Sequence, residues 1–372
     1  MNIGILKEDF QLEHRVALTP VGVQSLADQG HRVFVQRDAG SMAHFPDEEY
    51  RNASASIVYS AEEVINRSEV VLRIAPPSTD ELKLFSPGQV LFSFLYLAVS
   101  SEKKIKELLE RRLTAISYEL IENERGELSV LQVSSEIAGQ LAIHIGANYL
   151  QGRHGGRGTL LGCVPGVPPA TVVILGAGAV GRTAARSALG TGAQVIVLDK
   201  EVARLRVLEE QTQYRVTTAL ATTKNIERAV KYADVLIGAV LMKAEKAPHL
   251  VTEAMVQTMK KGSVIIDVSI DEGGCIATSR PTRADDPIFI AHDVVHYCVP
   301  NIPSLVARTA TIALTNALLP IVSDVAEVGI QRAIRENSGL AKGVCTYDGA
   351  CTNPVIAKAF TLSAKHLREL LN

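Results

Sequence analysis

The sequence predicts an α/β protein built from two Rossmann-like, doubly wound parallel-sheet domains with a cleft between them. Three observations carry this. Short apolar runs of strand length alternate with stretches of helical spacing along most of the chain. At 372 residues, the chain is too long for one ordinary core and suits two. One apolar run, "VVILGAGAVG" from Val172 to Gly181, breaks abruptly into glycines at a fixed spacing.

The elements follow in order. "NIGILKE" reads as a strand. "TPVGVQSLADQG" reads as a helix, with Thr19 as N-cap, Pro20 in the first turn and Gly30 at the C-terminal end. "HRVFVQR" is a strand, "SAEEVINRS" a short helix, and "EVVLRIA" and "QVLFSFLYL" are further strands. "SSEKKIKELLERR" is a charged helix before the strand "TAISYELI". This half carries no phosphate loop, so it is the expected substrate half. "SSEIAGQLAIHIGANYLQG" is a long apolar helix bridging the halves. The Gly/Pro-rich "RHGGRGTLLGCVPGVPPA" reads as the clearest break. Strands "TVVIL", "QVIVLD", "ADVLIGAV" and "SVIIDVSI" then build the second half. "RTATIALTNALLPIVSDVAEVGIQRAIREN" reads as a long helical return to the first domain, interrupted at Pro320. The expected boundaries are 1–134 plus 305–372 for the substrate domain and 135–304 for the nucleotide domain. Ligands of such sheets lie at the carboxyl ends of the strands.

The glycines have a chemical reading. Gly176, Gly178 and Gly181 form G-x-G-x-x-G between a buried strand and a helix. A second strand then ends on the acid Asp199, where the dinucleotide fingerprint requires one. Gly176 permits the tight turn, Gly178 lets the backbone approach a pyrophosphate, and Gly181 lets helix and strand pack closely. The helix N-terminus offers N–H groups and partial positive charge to the phosphates. Asp199 can accept from both ribose hydroxyls and would repel a 2′-phosphate, so NAD is favoured over NADP. Lys200 and Arg204 blur that preference.

Composition excludes several classes. The formal net charge is −2, with no basic block to suit nucleic acid. No run reaches the ~18 uninterrupted apolar residues of a membrane helix. The N-terminus lacks the regions of a signal peptide, so a cytoplasmic protein is expected. The five cysteines include no C-x-x-C and read as reduced thiols. His292 and His296 in "HDVVH" could share a helical face, but their surroundings look like strand and loop. The glutamate of H-E-x-x-H is absent, and no metal is expected.

Several segments together resemble alanine dehydrogenase and the related α subunit of proton-translocating transhydrogenase. They are "HRVALTPVGVQSLADQGHRVFVQRDAG", "SEIAGQLA", "GGRGTLLGCVPGVPPATVVILGAGAVG", "ADVLIGAVL", "IDVSIDEGGCIATSRPT" and "HDVVHYCVPNIPS…RTATIALTNA". The likeness covers essentially the full length, and no spanning segment follows to suit the membrane transhydrogenase. It implies NAD, an L-amino acid and 2-oxo acid pair, and a homo-oligomer, commonly a hexamer. It further implies that Arg15 binds the substrate carboxylate and that Asp271 lies beside nicotinamide and substrate. Ser135 is implied at the phosphate, and Val240, Asn301 and Ile302 in the nicotinamide pocket.

Two positions depart from the family pattern. Where K-V-K-E-P is usual, the strand reads "RIAPP", with Arg73 at the first lysine and Ala75 at the second, substrate-binding one. Where F-L-H-L-A carries the general acid/base, "FLYLA" places Tyr96. A tyrosine with a pKa near about 10 is a poor base without a cation beside it, whereas histidine titrates near neutrality. Arg73 has two readings: its fork fills the space beside Ala75 and grips a carboxylate, or it turns to an acid or to solvent. Three functions stay open: an alanine-type dehydrogenase with a rebuilt site, an opine-type or cyclic-imine reductase, and a non-catalytic NAD-binding protein.

Overall fold

The computed structural model describes residues 1–242 and 247–371. They form two compact units. The first is Met1–Ser134 together with the chain from Ser304 onward; the second runs from Ser135 to Pro303.

In the first unit, strands β1 (Asn2–Ile5), β2 (Arg32–Gln36), β3 (Ser56–Val58), β4 (Val70–Leu72), β5 (Val90–Ser93) and β6 (Thr114–Ser117) run parallel. In the second, β7 (Thr171–Leu175), β8 (Gln194–Asp199), β9 (Thr217–Leu220), β10 (Val235–Gly238) and β11 (Val264–Asp267) do the same. Strand β12 (Ile288–Ala291) closes that sheet as an antiparallel hairpin with β13 (Val294–Tyr297). The chain then adds β14 (Val344–Tyr347) and β15 (Ala350–Cys351) to the first sheet. The orders are β15-β14-β6-β5-β4-β1-β2-β3 and β12-β13-β11-β10-β7-β8-β9. Each strand order reverses next to its unit's first strand. These points, between β1 and β4 and between β7 and β10, are the topological switch points where such sheets open a crevice.

Alternation along the strands explains the double winding. In β7, Val172 and Ile174 enter one apolar cluster while Val173 and Leu175 enter another. In the first sheet, Val70 and Leu72 face one cluster and Val71 the other. A strand buried on both faces needs helices on both.

The helix Pro20–Asp28 starts as expected: the Thr19 hydroxyl accepts from the Gly22 N–H, and Gly30 has φ 86°. The bridging helix spans Ser129–Tyr149. Its neighbour, the Gly/Pro-rich stretch, lies inside the second unit. Three expectations are settled, two of them as corrections. The helix Ala307–Val328 runs through Pro320 without a break, and the interruption falls at Gly329, at φ 83° and ψ 152°. Pro320 removes one ladder donor, yet Leu314, Leu318, Val322 and Val325 anchor both sides of it in the first unit's core. Together with the turn before it, this helix is long and apolar enough to cross a membrane by composition, with mean hydropathy 1.6. Its buried stripe is that of a core helix. Second, His292 and His296 lie in turn and strand rather than on a helical face, as their surroundings indicate. His292 and Asp293 have φ 53° and 60° and form the turn between β12 and β13. Third, the first sheet is not purely parallel, because β14 and β15 are antiparallel. Asp348 and Gly349 turn between them at φ 45° and 81°. "YDGA" was the unread signal, since Asp-Gly suits a two-residue hairpin turn.

Candidate active site and nucleotide site

The second unit's site is assembled at the β7/β10 switch point. Gly176, just past β7, has φ 106°, and a Cβ there would lie 2.2 Å from the Ala239 carbonyl oxygen. A Cβ on Gly181 would lie 1.8 Å from the Gly176 carbonyl oxygen. Both positions therefore exclude any side chain. Gly178 differs: its missing Cβ would meet nothing within 4 Å. Gly178 is also the N-cap of the helix Ala179–Thr191, which has no acid in its first turn. Open space over a helix N-terminus is what a pyrophosphate requires. Asp199 ends β8 and is buried; Oδ2 accepts the Ala177 N–H at 2.6 Å and Oδ1 the Glu201 N–H at 2.8 Å. It thus braces the glycine loop, and each oxygen keeps a second lone pair for a ribose hydroxyl. Arg204 is exposed and lies 3.1 Å from Glu201.

The other carried-over residues of this unit fall around further strand ends. Val240 follows β10 and donates its N–H to Ser269 Oγ at 2.9 Å. Asp271 sits in the turn Val268–Glu272 after β11. Its Oδ1 accepts the Asn301 N–H at 2.9 Å, and Asn301 itself has φ 56°. Ile302 is buried in this unit's core. The turn is held by Asp267, whose carboxylate accepts from Ser269 N–H at 3.2 Å and Cys275 N–H at 3.0 Å. Burial pushes its pKa up. Ser135 is half-buried on the bridging helix. Among the described residues no group of His, Cys, Asp and Glu could hold a metal. His296 is buried, with Thr278 Oγ1 2.8 Å from Nε2.

The first unit's site lies at the carboxyl ends of four adjacent strands, β6, β5, β4 and β1. Glu8 follows β1, Arg73 and Ala75 follow β4, Phe94 and Tyr96 follow β5, and Tyr118 follows β6. Arg15 is 4% exposed. Glu13 grips it side-on, Nε to Oε1 at 2.9 Å and Nη2 to Oε2 at 2.8 Å. Its Nη1 donates to Ser134 Oγ at 3.3 Å. Burial works against the cation, but Glu13, with Tyr96 and Glu8 adding to it, outweighs burial and the pKa is raised. The guanidinium lies 5.6 Å from the centroid of Phe94, which stacks on Tyr96 at 5.9 Å. Tyr96 is left-handed, with φ 44° and ψ 46°. Glu119 fixes that conformation, taking the Tyr96 N–H at 2.7 Å and the Ser117 hydroxyl at 2.6 Å. Burial raises the Glu119 pKa.

Arg73 takes the acid-paired reading, not the open fork beside Ala75. It is 5% exposed, with Nε 3.4 Å from Glu8 Oε2 and Nη1 bonded to Glu81. Glu8 in turn accepts the N–H of Ile74 at 2.6 Å and of Ala75 at 3.3 Å. A buried carboxylate demands a cation, and Arg73 supplies it. Sequence reading passed over Glu8, Glu13, Ser134 and Glu119. The signal for Glu8 was present: like Asp199, it is an acid just beyond the end of a buried parallel strand.

Comparison with known proteins identifies the family. The N-terminal domain model of alanine dehydrogenase/PNT matches residues 4–138 and the C-terminal domain model residues 142–354. The chain belongs to this family. It is 44% identical to the alanine dehydrogenase of Methanococcus maripaludis and 43% identical to that of Halomonas elongata. Each match spans the whole of both chains. Among solved structures, an L-alanine dehydrogenase is 42% identical with a TM-score of 0.90, covering 97% of this chain and 99% of that one. A transhydrogenase from Sinorhizobium meliloti is 26% identical with a TM-score of 0.77, covering 95% and 99%. As a member of this family the protein is an NAD-dependent oxidoreductase.

Proposed function

We propose that this member oxidises a small L-amino acid to its 2-oxo acid, or runs the reverse reaction, in a substrate site rebuilt at Ala75 and Tyr96. The observation that carries this is Arg15, a buried guanidinium at the carboxyl end of the first sheet, in a chain whose other sheet holds the full glycine fingerprint. A buried guanidinium in this unit suits a small carboxylate. NAD, when bound, accepts the hydride from the substrate Cα. Gly178 and the helix behind it hold the pyrophosphate, Asp199 the adenosine ribose, and Ser135 lies at a phosphate. Arg204 flanks the ribose site. Val240, Asn301 and Ile302 line the nicotinamide, with Asp271 beside it.

On the substrate side, Arg15 orients the carboxylate and the Tyr96 hydroxyl donates to the carbonyl or imine. Arg73 does not touch substrate in this reading; it neutralises Glu8. Ala75 brings no charge and leaves room for a side chain larger than that of alanine.

A second reading has one specific support. Arg73 is paired with Glu8 and Glu81, so it is not the cation that would make Tyr96 a base for a hydrolytic step. Reduction of a preformed imine, opine-type or cyclic, needs hydride and one proton only. NADH oxidation separates the cases. Turnover with pyruvate and ammonium supports the amino-acid dehydrogenase. Turnover only with a 2-oxo acid plus an amine donor, or with a cyclic imine, supports the reductase. NADH binding without turnover on any of these sinks both and leaves a non-catalytic NAD-binding protein. A homo-oligomer, hexamer or dimer, and a cytoplasmic setting belong to the same proposal; sedimentation checks the former.

A further inference from the structure

Amine oxidation and imine hydrolysis both move protons near neutral pH, where an ordinary tyrosine, with a pKa near about 10, is a poor carrier. The four strand ends carry another group. We infer that Glu8 is the acid–base residue of this site, its carboxyl group holding the exchanged proton. This rests on the first unit being the substrate site.

The geometry comes first. Glu8 and Ala75 follow β1 and β4, the two strands of the switch point. Main-chain N–H groups of Ile74 and Ala75 fix the carboxylate in place, so it is pre-positioned rather than mobile. Oε1 has the shorter bond, 2.6 Å, and Oε2 the looser one, 3.3 Å. Oε2 is also the oxygen that faces Arg73, 3.4 Å from its Nε.

A buried donor within electrostatic reach of Glu8, Tyr118 Oη, makes no hydrogen bond, while Arg73 Nε faces Glu8 Oε2. Tyr118 is fully buried, edge-on to Phe94 at 5.2 Å. Phe94 is the ring over which Arg15 lies. An orphaned donor at such depth is rare and points to an acceptor that visits the site.

The charges facing Glu8 set its behaviour. Arg73 favours the carboxylate, and so do the two amides. Glu13 opposes it, Arg73 is shared with Glu81, and Arg15 is held by Glu13. Burial dominates, and the Glu8 pKa is pushed up to about 7. In the oxidising direction one proton passes from the substrate nitrogen to the Glu8 carboxylate, and from there to water. In the reducing direction it returns by the same path.

Glu8→Gln tests this, with Glu8→Asp, Tyr118→Phe and Tyr96→Phe alongside. Melting and NADH binding establish which variants are folded. In Glu8→Gln, kcat should fall about 10²–10⁴-fold and the limb of the kcat/KM pH profile near pH 7 should vanish. Glu8→Asp should keep that limb at a shifted pH. Tyr96→Phe should keep it where wild type has it. Difference infrared spectroscopy gives a second readout without turnover: a neutral carboxyl band that disappears as pH rises through about 7 and is missing in Glu8→Gln. Loss of the limb in Tyr96→Phe but not in Glu8→Gln overturns the inference, as does a Glu8 carboxylate ionised throughout. If no substrate is turned over while the band titrates as stated, it is the proposed reaction that fails, not the protonation of Glu8.

Discussion

Gly178 and Gly181 stand three residues apart in one loop, and the structure assigns them opposite reasons for lacking a side chain. In Gly181→Ala the new Cβ would lie 1.8 Å from the Gly176 carbonyl oxygen, where real contacts stay beyond 3.0 Å. The loop must open by about 1.2 Å. Overpacking of this size costs roughly 1–3 kcal/mol. A displacement near 1 Å in a positioning element can cost about 10²-fold. Gly181→Ala should therefore melt several degrees lower and bind NADH about 10²-fold more weakly. In Gly178→Ala the Cβ meets no protein atom within 4 Å, so the melting temperature without ligand should stay within about 1 °C, as for a surface change. NADH binding should still fall at least tenfold, because the methyl occupies the pyrophosphate's approach. Isothermal titration with NADH and a thermal melt of the ligand-free protein separate the two. A Gly178→Ala protein that binds NADH like wild type would refute the reasoning, since the open space would then not be the phosphate's.

Further outcomes follow from the first unit and its return helix. Arg15→Lys keeps the charge but loses the fork, so KM for the 2-oxo acid should rise about 10–150-fold, the equivalent of ~1.5–3 kcal/mol, while NADH affinity holds in a binding titration. Glu8 binds its proton more tightly folded than unfolded, with a pKa about 7 against 4.5. Stability is thus greatest below about pH 4.5 on this account and declines until about pH 7, by at most ~3 kcal/mol; denaturant melts of Glu8→Gln should show a flatter pH profile. Tyr96→His combined with Ala75→Lys should raise alanine oxidation measured at saturating NAD; no gain means that the pocket differs beyond those two positions. Pro320→Ala restores a donor to the carbonyl of Asn316, so the melting temperature should rise, by up to the equivalent of ~3 kcal/mol.

Local chemistry made much of this protein legible in its residues. The glycine spacing, the apolar strand before it and Asp199 after the next strand specify a nucleotide loop within some thirty residues. Thr19 and Pro20 specify a helix start for equally local reasons. Position 96 was legible as a departure, though not as a left-handed residue pinned by Glu119, because that hydrogen bond joins strands β5 and β6. Pro320 misled because propensity was read without packing: the core contacts on both sides outweigh one lost hydrogen bond.

What the sequence by itself determined is where strands end and which residue types stand there: glycines after β7, an acid after β8, an arginine in the "HRVAL" segment. Only the tertiary structure decided which strand ends are neighbours. It placed Glu8 on the amide of Ala75 and committed Arg73 to Glu8 rather than to the empty space beside it. The physical reason is range. Hydrogen-bonded turns and periodicity act over a few residues, whereas a buried carboxylate takes its counter-ion from wherever the sheet order brings one, here 65 residues along the chain.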